Sequence, residues 1–144
     1  MPAVSRTIQI AASPRTVWEL LSSQEGLKAW LEPGMKIDMK VGGQYRFHVP
    51  EFDEYISGYV MEMEPEKRLV LSWYEEGSDW KFALRLSFTL DAVEGGTLVT
   101  HQYDGFAGLG KANWMGTMNA YDRGMDAHQI LANLKKAVET RNVA

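Results

Sequence analysis

The stretch HQYDGFAGLGKANWMG, residues 101–116, decides between two fold classes. Gly105, Gly110 and Lys111 have the G-x-x-x-x-G-K spacing of a phosphate-binding loop, but Ala112 stands where that loop has the Ser or Thr that holds magnesium. A phosphate loop also joins a parallel strand to a helix inside a repeated strand–helix unit. Here the glycines follow a series of hairpins and precede a single helical segment, so the sequence argues against a nucleotide site.

Upstream of this stretch, from Met35 to Asp104, apolar residues recur at every second position, which is the pattern of half-buried strands. The clearest example is the alternation of Phe82, Leu84, Leu86, Phe88 and Leu90. Short turns such as Pro65-Glu66-Lys67 separate the strands. Connections this short cannot carry crossover helices, so the sheet must be antiparallel.

Helical patterns lie on both sides of the predicted sheet. After a first strand at residues 5–10, Ser13 and Pro14 supply an N-cap and a first helical residue, and two short helices follow before Pro33. Downstream of the glycines, residues 113–141 form one long helical window without proline. The sequence therefore predicts an α+β fold in a single domain over residues 1–144.

Composition excludes several classes of function. The chain has 144 residues, 45% of them hydrophobic, a net charge of −4 and no cysteine. These values are typical of a globular domain, argue against nucleic-acid binding and exclude disulfides; we expect a cytoplasmic protein. No apolar run approaches the ~20 residues of a membrane span, so no membrane partner is expected. His48, His101 and His128 lack metal-binding spacing, and we predict neither a metal nor a cofactor.

The order of these elements, and five segments of the chain, resemble the START-like (SRPBCC) superfamily of helix-grip proteins. Within it they resemble the branch named after the activator of the heat-shock-protein-90 ATPase. The matching segments are IAASPRTVWELLSSQEGLKAWL (10–31), KVGGQYRF (40–47), SGYVMEMEPEKRLVLSWY (57–74), EGGTLVTHQYDGF (94–106) and LANLKKAVE (131–139). They extend over essentially the whole chain.

The resemblance implies a curved antiparallel sheet of about six or seven strands wrapped around the long C-terminal helix, with an apolar cavity between them. Members of the superfamily are mostly ligand binders, carriers or cofactor-free cyclases. We therefore expect the chain to bind a small apolar molecule, with no catalytic residue assigned. One alternative is a cofactor-free cyclase or lyase with a base inside the same cavity. The other is a co-chaperone-like module, which requires a filled cavity and a large exposed patch.

The C-terminal helix departs from the family at Asp126-Ala127, where the family usually has Gly-Trp. Projection at 100° per residue extends the face of Ile130, Leu134 and Val138 onto small residues, which predicts empty space beneath the sheet. The predicted pocket has Trp30 near its mouth, walls of Tyr45, Phe47, Trp73, Leu84 and Leu86, orienting groups His101 and Tyr103, and a floor of Ala120, Gly124 and Ala127. The glycine loop, with Gly105, Phe106, Gly108 and Gly110, is either a plain connection or the lid of this pocket. The aromatic wall residues are equally compatible with an ordinary core.

The opposite helix face carries a Met/aromatic stripe, defined as Trp114, Met118, Tyr121 and Met125. This stripe packs inward if the helix kinks, for example at Gly124, or forms a homodimer contact, or is simply exposed. Asp122 and Asp126 belong either to a solvated helix face or to a buried general base.

Overall fold

The computed structural model describes residues 2–143, and the elements follow one another in the predicted order. They are β1 (Ala3–Ile10), α1 (Pro14–Leu21), α2 (Gln24–Trp30), β2 (Lys36–Ile37), β3 (Gln44–Val49), β4 (Glu54–Glu64), β5 (Arg68–Glu75), β6 (Leu84–Val93), β7 (Gly96–Asp104), a short 3-10 turn (Phe106–Gly108), α3 (Trp114–His128) and α4 (Ile130–Val143). None of the helices in this described part of the chain is long and apolar enough to cross a membrane.

The seven strands form one antiparallel sheet in the order β1-β7-β6-β5-β4-β3-β2. Hairpins join the consecutive strands β2 to β7, whereas β1 pairs with β7 through eight residue pairs from Ala3↔Asp104 to Ile10↔Thr97. The predicted α+β helix-grip fold is thereby confirmed. One face of the sheet and the helices enclose the core.

The alternating pattern that identified β6 marks the core face correctly from Leu84 onward, whereas Phe82 precedes the strand and is 64% exposed. Leu84, Leu86 and Phe88 are almost completely buried, and β5 adds Leu69 and Leu71 beside them. Trp30, at the end of α2, lies in the same core, where its indole nitrogen donates 2.9 Å to the carbonyl oxygen of Leu20. The two short helices thus close one side of the core. Their starts are fixed by serine N-caps at Ser13 and Ser23.

The C-terminal helix is broken at Gln129, whose φ of 51° and ψ of 44° are left-handed. The helix is therefore bent, as one of the alternatives required, but at Gln129 and not at the example position Gly124, which lies inside continuous α3. Beyond the break, α4 buries Leu134 and Val138 in the core, whereas Met125 is the buried residue of α3. The break is what lets two segments of one helical window turn different faces to the sheet.

The glycine loop is a packed connection between β7 and α3. Gly105 has a φ of 98°, a left-handed conformation that favours glycine, and the following Phe106 and Leu109 are fully buried. The carbonyl oxygen of Leu109 accepts hydrogen bonds from the amides of Lys81 and Phe82, at 2.8 and 3.3 Å. These contacts tie the loop to the chain just before β6.

Candidate functional site

A cavity of about 470 Å³ lies between the sheet and the C-terminal half of α3. Strands β3, β5 and β7 supply Phe47, Trp73, His101 and Tyr103 to its wall, and α3 supplies Tyr121 among other residues. Ligand pockets in proteins typically measure about 300–1,000 Å³, so this space suits a small molecule.

The wall is a continuous chain of aromatic contacts. The ring centroids of Phe47 and Trp73 are 5.6 Å apart, those of Trp73 and Tyr103 are 5.5 Å apart, and those of Tyr103 and Tyr121 are 4.9 Å apart. The last two pairs meet edge to face, the geometry that aromatic quadrupoles prefer. The wall is therefore held by its own packing, with most of its surface apolar.

Two hydrogen bonds link three polar groups of the wall. The indole nitrogen of Trp73 donates to the hydroxyl of Tyr121 at 2.8 Å, and that hydroxyl donates to the carboxylate of Glu75. Burial, followed by the nearby Glu75 charge, raises the pKa of Tyr121 well above its usual value, so its proton is retained at neutral pH. All three side chains line the cavity.

His101 contributes a polar atom that has no partner. The residue is 2% exposed, its ring stacks on Phe88 at 4.7 Å, and its Nε2 makes no hydrogen bond within the described chain. Burial, and secondarily the charge of Arg6, lowers the pKa of His101 to about 4, so the imidazole is neutral at pH 7. A buried, unpaired ring nitrogen beside a cavity is a ready hydrogen-bond partner for a ligand.

The helix side of the cavity differs from the projected floor. Ala120, Gly124 and Met125 border the cavity, but Ala127 is exposed and does not. The projection carried the face of α4 straight through Gln129, where the left-handed residue changes the phase of the helix. Placing Ala127 in the floor is therefore wrong.

Several residues expected in the walls are buried elsewhere. Leu84 and Leu86 lie in the core away from the cavity, as does Trp30. Tyr45 is buried too, and its hydroxyl donates 2.5 Å to the carbonyl oxygen of Ser72. An alternating pattern tells which face of a strand is buried, but not which buried residues face empty space.

The glycine loop does not border the cavity either. Gly105, Phe106, Gly108 and Gly110 are absent from its lining, and Phe106 packs against the outer side of Tyr121 with the centroids 5.9 Å apart. The nearby Lys111 forms an ion pair with Asp79 at 3.0 Å. The lid assignment consequently has no support in the position of these residues.

The mouth of the cavity was missed by sequence reasoning. It is formed by the chain after α2 and by the β3–β4 turn, with His128 and Ile130 from the helix break; the lining residues there are Leu31, Glu32, Val49, Glu51, Phe52, Glu54 and Asn133. Phe52 is 68% exposed at this turn, which is unusual for so large an apolar side chain. Residues 50–54 carry an evident turn signal, but nothing in that signal says that the turn overhangs a cavity.

The Met/aromatic stripe faces the core. Met125 is buried, and Trp114, Met118 and Tyr121 are partly buried and packed against the core cluster. Inward packing was one of the three alternatives, and the contacts of these side chains with the core favour it. Trp114, Met118 and Tyr121 remain partly exposed, so a dimer contact through the stripe stays a prediction.

The two aspartates of α3 lie outside the cavity. The guanidinium of Arg6 binds Asp122 at 3.0 Å and Asp126 at 2.9 Å, and both carboxylates are more than half exposed. They belong to a solvated ion-pair cluster that joins α3 to β1, so neither is placed as a buried base. Within the described residues there is also no group of three or more His, Cys, Asp or Glu arranged to hold a metal ion.

Comparison with known proteins places this architecture in a family. The family model described as "Activator of Hsp90 ATPase homolog 1-like protein" matches residues 11–139. No curated protein matches the chain.

Solved structures share the fold over nearly the whole chain. Protein MLL2253 from Mesorhizobium loti is 22% identical with a TM-score of 0.77, covering 97% of this chain and 98% of its own. The Aha1 dimer from Colwellia psychrerythraea is 21% identical with a TM-score of 0.76, and the match covers 96% of this chain and 97% of the Aha1 chain. DynU16, a protein in the dynemicin biosynthetic locus, is 19% identical with a TM-score of 0.76. The matched region covers 96% of this chain but 47% of the DynU16 chain. At these identities the likeness concerns the fold alone.

Proposed function

Because the chain belongs to the family of activator of Hsp90 ATPase homolog 1-like proteins, we propose that it binds a small, largely apolar molecule in the cavity beneath α3. The observation that carries this proposal is the combination of a space of about 470 Å³ with an aromatic wall and one unpartnered buried nitrogen, Nε2 of His101. A site built only for stability would have been filled by side chains, since protein interiors are close-packed.

Burial of apolar ligand surface supplies the affinity, at about 25 cal/mol per Å² before the costs of ordering. Phe47, Trp73 and Tyr103 offer flat apolar faces, and Met125 is an adaptable side chain opposite them. His101 and the Tyr121–Glu75 pair supply the few polar contacts that orient a ligand.

The test is a matched pair of substitutions read with the neutral fluorescent probe N-phenyl-1-naphthylamine. A Cβ at Gly124 meets only the His128 ring, at 3.6 and 3.9 Å, so Gly124→Leu extends freely into the cavity. Losing about 60–100 Å² of contact at about 25 cal/mol per Å² weakens probe binding roughly tenfold or more. Ala127→Leu, on the exposed side of the same helix, is the control and leaves binding unchanged.

Equal probe binding by wild type and Gly124→Leu would show that the probe does not occupy the cavity and would contradict the proposal. Native mass spectrometry of protein purified from its own source then identifies the ligand. The two α3 variants serve as its controls, because a ligand held in the cavity is retained by Ala127→Leu and lost from Gly124→Leu.

A second candidate is a cofactor-free enzyme acting in the same cavity, as in the cyclase-like members of the superfamily. The observation that favours it is the carboxylate of Glu75 inside the cavity, beside the hydroxyl of Tyr121. A carboxylate in that position can remove a proton from carbon next to a ligand carbonyl. Exchange of the α-protons of 2-tetralone in deuterated water, followed by NMR, tests this: catalysis by wild type but not by Glu75→Gln supports it, and equal rates exclude it.

A co-chaperone-like module receives less support. That reading required a filled cavity and a large exposed patch, whereas the cavity is open and the Met/aromatic stripe packs inward. The relative from Colwellia psychrerythraea is a dimer.

A further inference from the structure

The charged side chains that line the cavity carry one sign. Arg6, whose charge reaches His101, lies outside the lining and is paired with Asp122 and Asp126. The cavity lining contains four glutamates, Glu32, Glu51, Glu54 and Glu75, and two histidines, but no lysine or arginine. None of the four glutamates forms a salt bridge within the described chain. By contrast, nearby Glu76 and Asp53, which do not line the cavity, are paired with Arg46 and His48.

Carboxylates that line an apolar cavity and have no salt-bridge partner select ligands by charge. Three of the four, Glu32, Glu54 and Glu75, are half-buried, so solvent screens them less than it screens free surface charges. Low-dielectric walls lined with one sign of charge concentrate ions of the opposite sign and exclude like ions. An anionic amphiphile such as a fatty acid would meet repulsion at the mouth and no cation inside.

The aromatic wall also attracts cations. Trp73 and Phe47 present ring surface to the space near Glu75, and the face of an aromatic ring attracts ammonium groups. His101 does not oppose this attraction, because its lowered pKa keeps the ring uncharged at pH 7.

The unpartnered Nε2 of His101 is an independent sign of a ligand. It is buried in the wall, where the sheet leaves it without a hydrogen bond. A buried polar atom without a partner costs free energy, and a ligand group that hydrogen-bonds to it offsets that cost. Carboxylates and a lone ring nitrogen in one lining offer two kinds of polar contact to a molecule with an apolar body.

We propose that the ligand is an organic cation: an apolar, aromatic-sized body with a protonated amine held by the glutamates of the cavity, and with a hydrogen bond to His101. This inference rests on the proposed ligand-binding function and adds the chemical class of the ligand.

The experiment compares three probes that share an indole ring and a two-carbon linker and differ in the charge of the group at its end. Tryptamine is the cation, 3-propylindole its neutral counterpart and indole-3-propionate its anionic counterpart. Each displaces N-phenyl-1-naphthylamine from wild-type protein at pH 7 in low salt. We expect tryptamine to bind most tightly and indole-3-propionate most weakly, with the preference for tryptamine decreasing as salt is added.

The variant carrying Glu32→Gln, Glu51→Gln and Glu54→Gln removes three charges and keeps the shape of the mouth. Exposed charge pairs are individually weak, so all three together are expected to change tryptamine affinity by roughly tenfold. Binding of 3-propylindole should stay the same. Asp91→Asn removes a charge from an exposed residue outside the cavity and is the control that should leave the preference intact.

The outcomes separate this inference from the proposed function. Equal binding of the three probes, tightest binding of the anion, or no displacement by any of them overturns the cationic ligand, while N-phenyl-1-naphthylamine bound in the cavity still supports apolar binding. Insensitivity of the naphthylamine probe to Gly124→Leu overturns both. A cation preference that survives the triple substitution but disappears in Glu75→Gln keeps the cationic ligand and places its ammonium at Glu75 alone.

Discussion

The indole nitrogen of Trp73 donates a 2.8 Å hydrogen bond to the hydroxyl of Tyr121, and this bond fastens α3 to the centre of the sheet. Met125 is the one residue of α3 that is buried. The ring of Tyr121 also contacts Trp80, Tyr103 and Phe106, with centroids 4.9–5.9 Å apart. Tyr121 is thus both a wall of the cavity and the main anchor of the helix that covers it.

Replacing this hydroxyl is expected to weaken the fold. Tyr121→Phe keeps the ring contacts but leaves the Trp73 N–H and the Glu75 carboxylate without their partner. An unsatisfied buried group costs about 1–3 kcal/mol, which chemical denaturation can measure. Tyr59→Phe, at an exposed tyrosine, is the control. Equal stability of the two variants would mean that water replaces the hydroxyl without loss.

Charged substitutions in the Met/aromatic stripe should unfold the protein rather than dissociate it. Met118→Lys combined with Tyr121→Lys places two ammonium groups against the core, where both side chains now pack. We expect a large drop in the melting temperature. Met115→Lys, at a residue that is 57% exposed on the same helix, should have little effect. Sedimentation showing a dimeric wild type and a folded monomeric double variant would contradict the inward packing.

The left-handed residue between α3 and α4 is expected to be strained. Gln129 has a φ of 51°, a region that side chains with a Cβ enter at a cost of about 1 kcal/mol and that glycine enters freely. Gln129→Gly should therefore stabilise the protein by roughly 0.5–1 kcal/mol. His128→Gly, one residue earlier inside α3, should destabilise it by about 1 kcal/mol. The same sign for both substitutions in urea unfolding would mean that the helix is continuous in solution.

The sequence predicted the sheet and the helices because their signals are local. Period-two apolar residues in β6, short polar turns, and Ser13 before Pro14 each act within a few residues. The break at Gln129 has no such signal, since neither glycine nor proline marks it. The sequence therefore predicted one continuous helix. Projecting the buried face of α4 through Gln129 then placed Ala127 on the wrong face of α3.

The candidate site could be predicted only in part, for a different physical reason. Phe47, Trp73, His101 and Tyr103, which the sequence predicted for the pocket, line the cavity, and their role in ligand binding stays a prediction. The mouth combines residues far apart in the chain, such as Glu32 and Glu51, which polar turns bring together. A single sequence shows which turns are polar, but not which of them meet across a cavity.

The stability of the protein is expected to depend on pH through His101. Its ring is buried against Phe88, and its pKa falls from 6.5 to about 4 on folding. The unfolded chain therefore binds one more proton than the folded chain between these two values, so stability is full above about pH 6.5 and is lost as pH falls toward 4. Between about pH 7 and about pH 5, the loss from this residue is roughly 2 kcal/mol.

His101→Phe isolates this contribution, because phenylalanine keeps the stacking on Phe88 and cannot be protonated. We expect urea unfolding of the variant to show about 2 kcal/mol less destabilisation than wild type over that pH interval. His48→Gln, at a half-exposed histidine that contacts Asp53, is the control and should retain most of the wild-type slope. The Phe variant also removes the unpartnered Nε2, so at pH 7 it should be at least as stable as wild type. Parallel pH profiles for wild type and His101→Phe would mean that folding leaves the pKa of His101 unchanged. The ring would then be open to protonation in the folded protein, which contradicts the buried, uncharged wall residue assigned to the cavity.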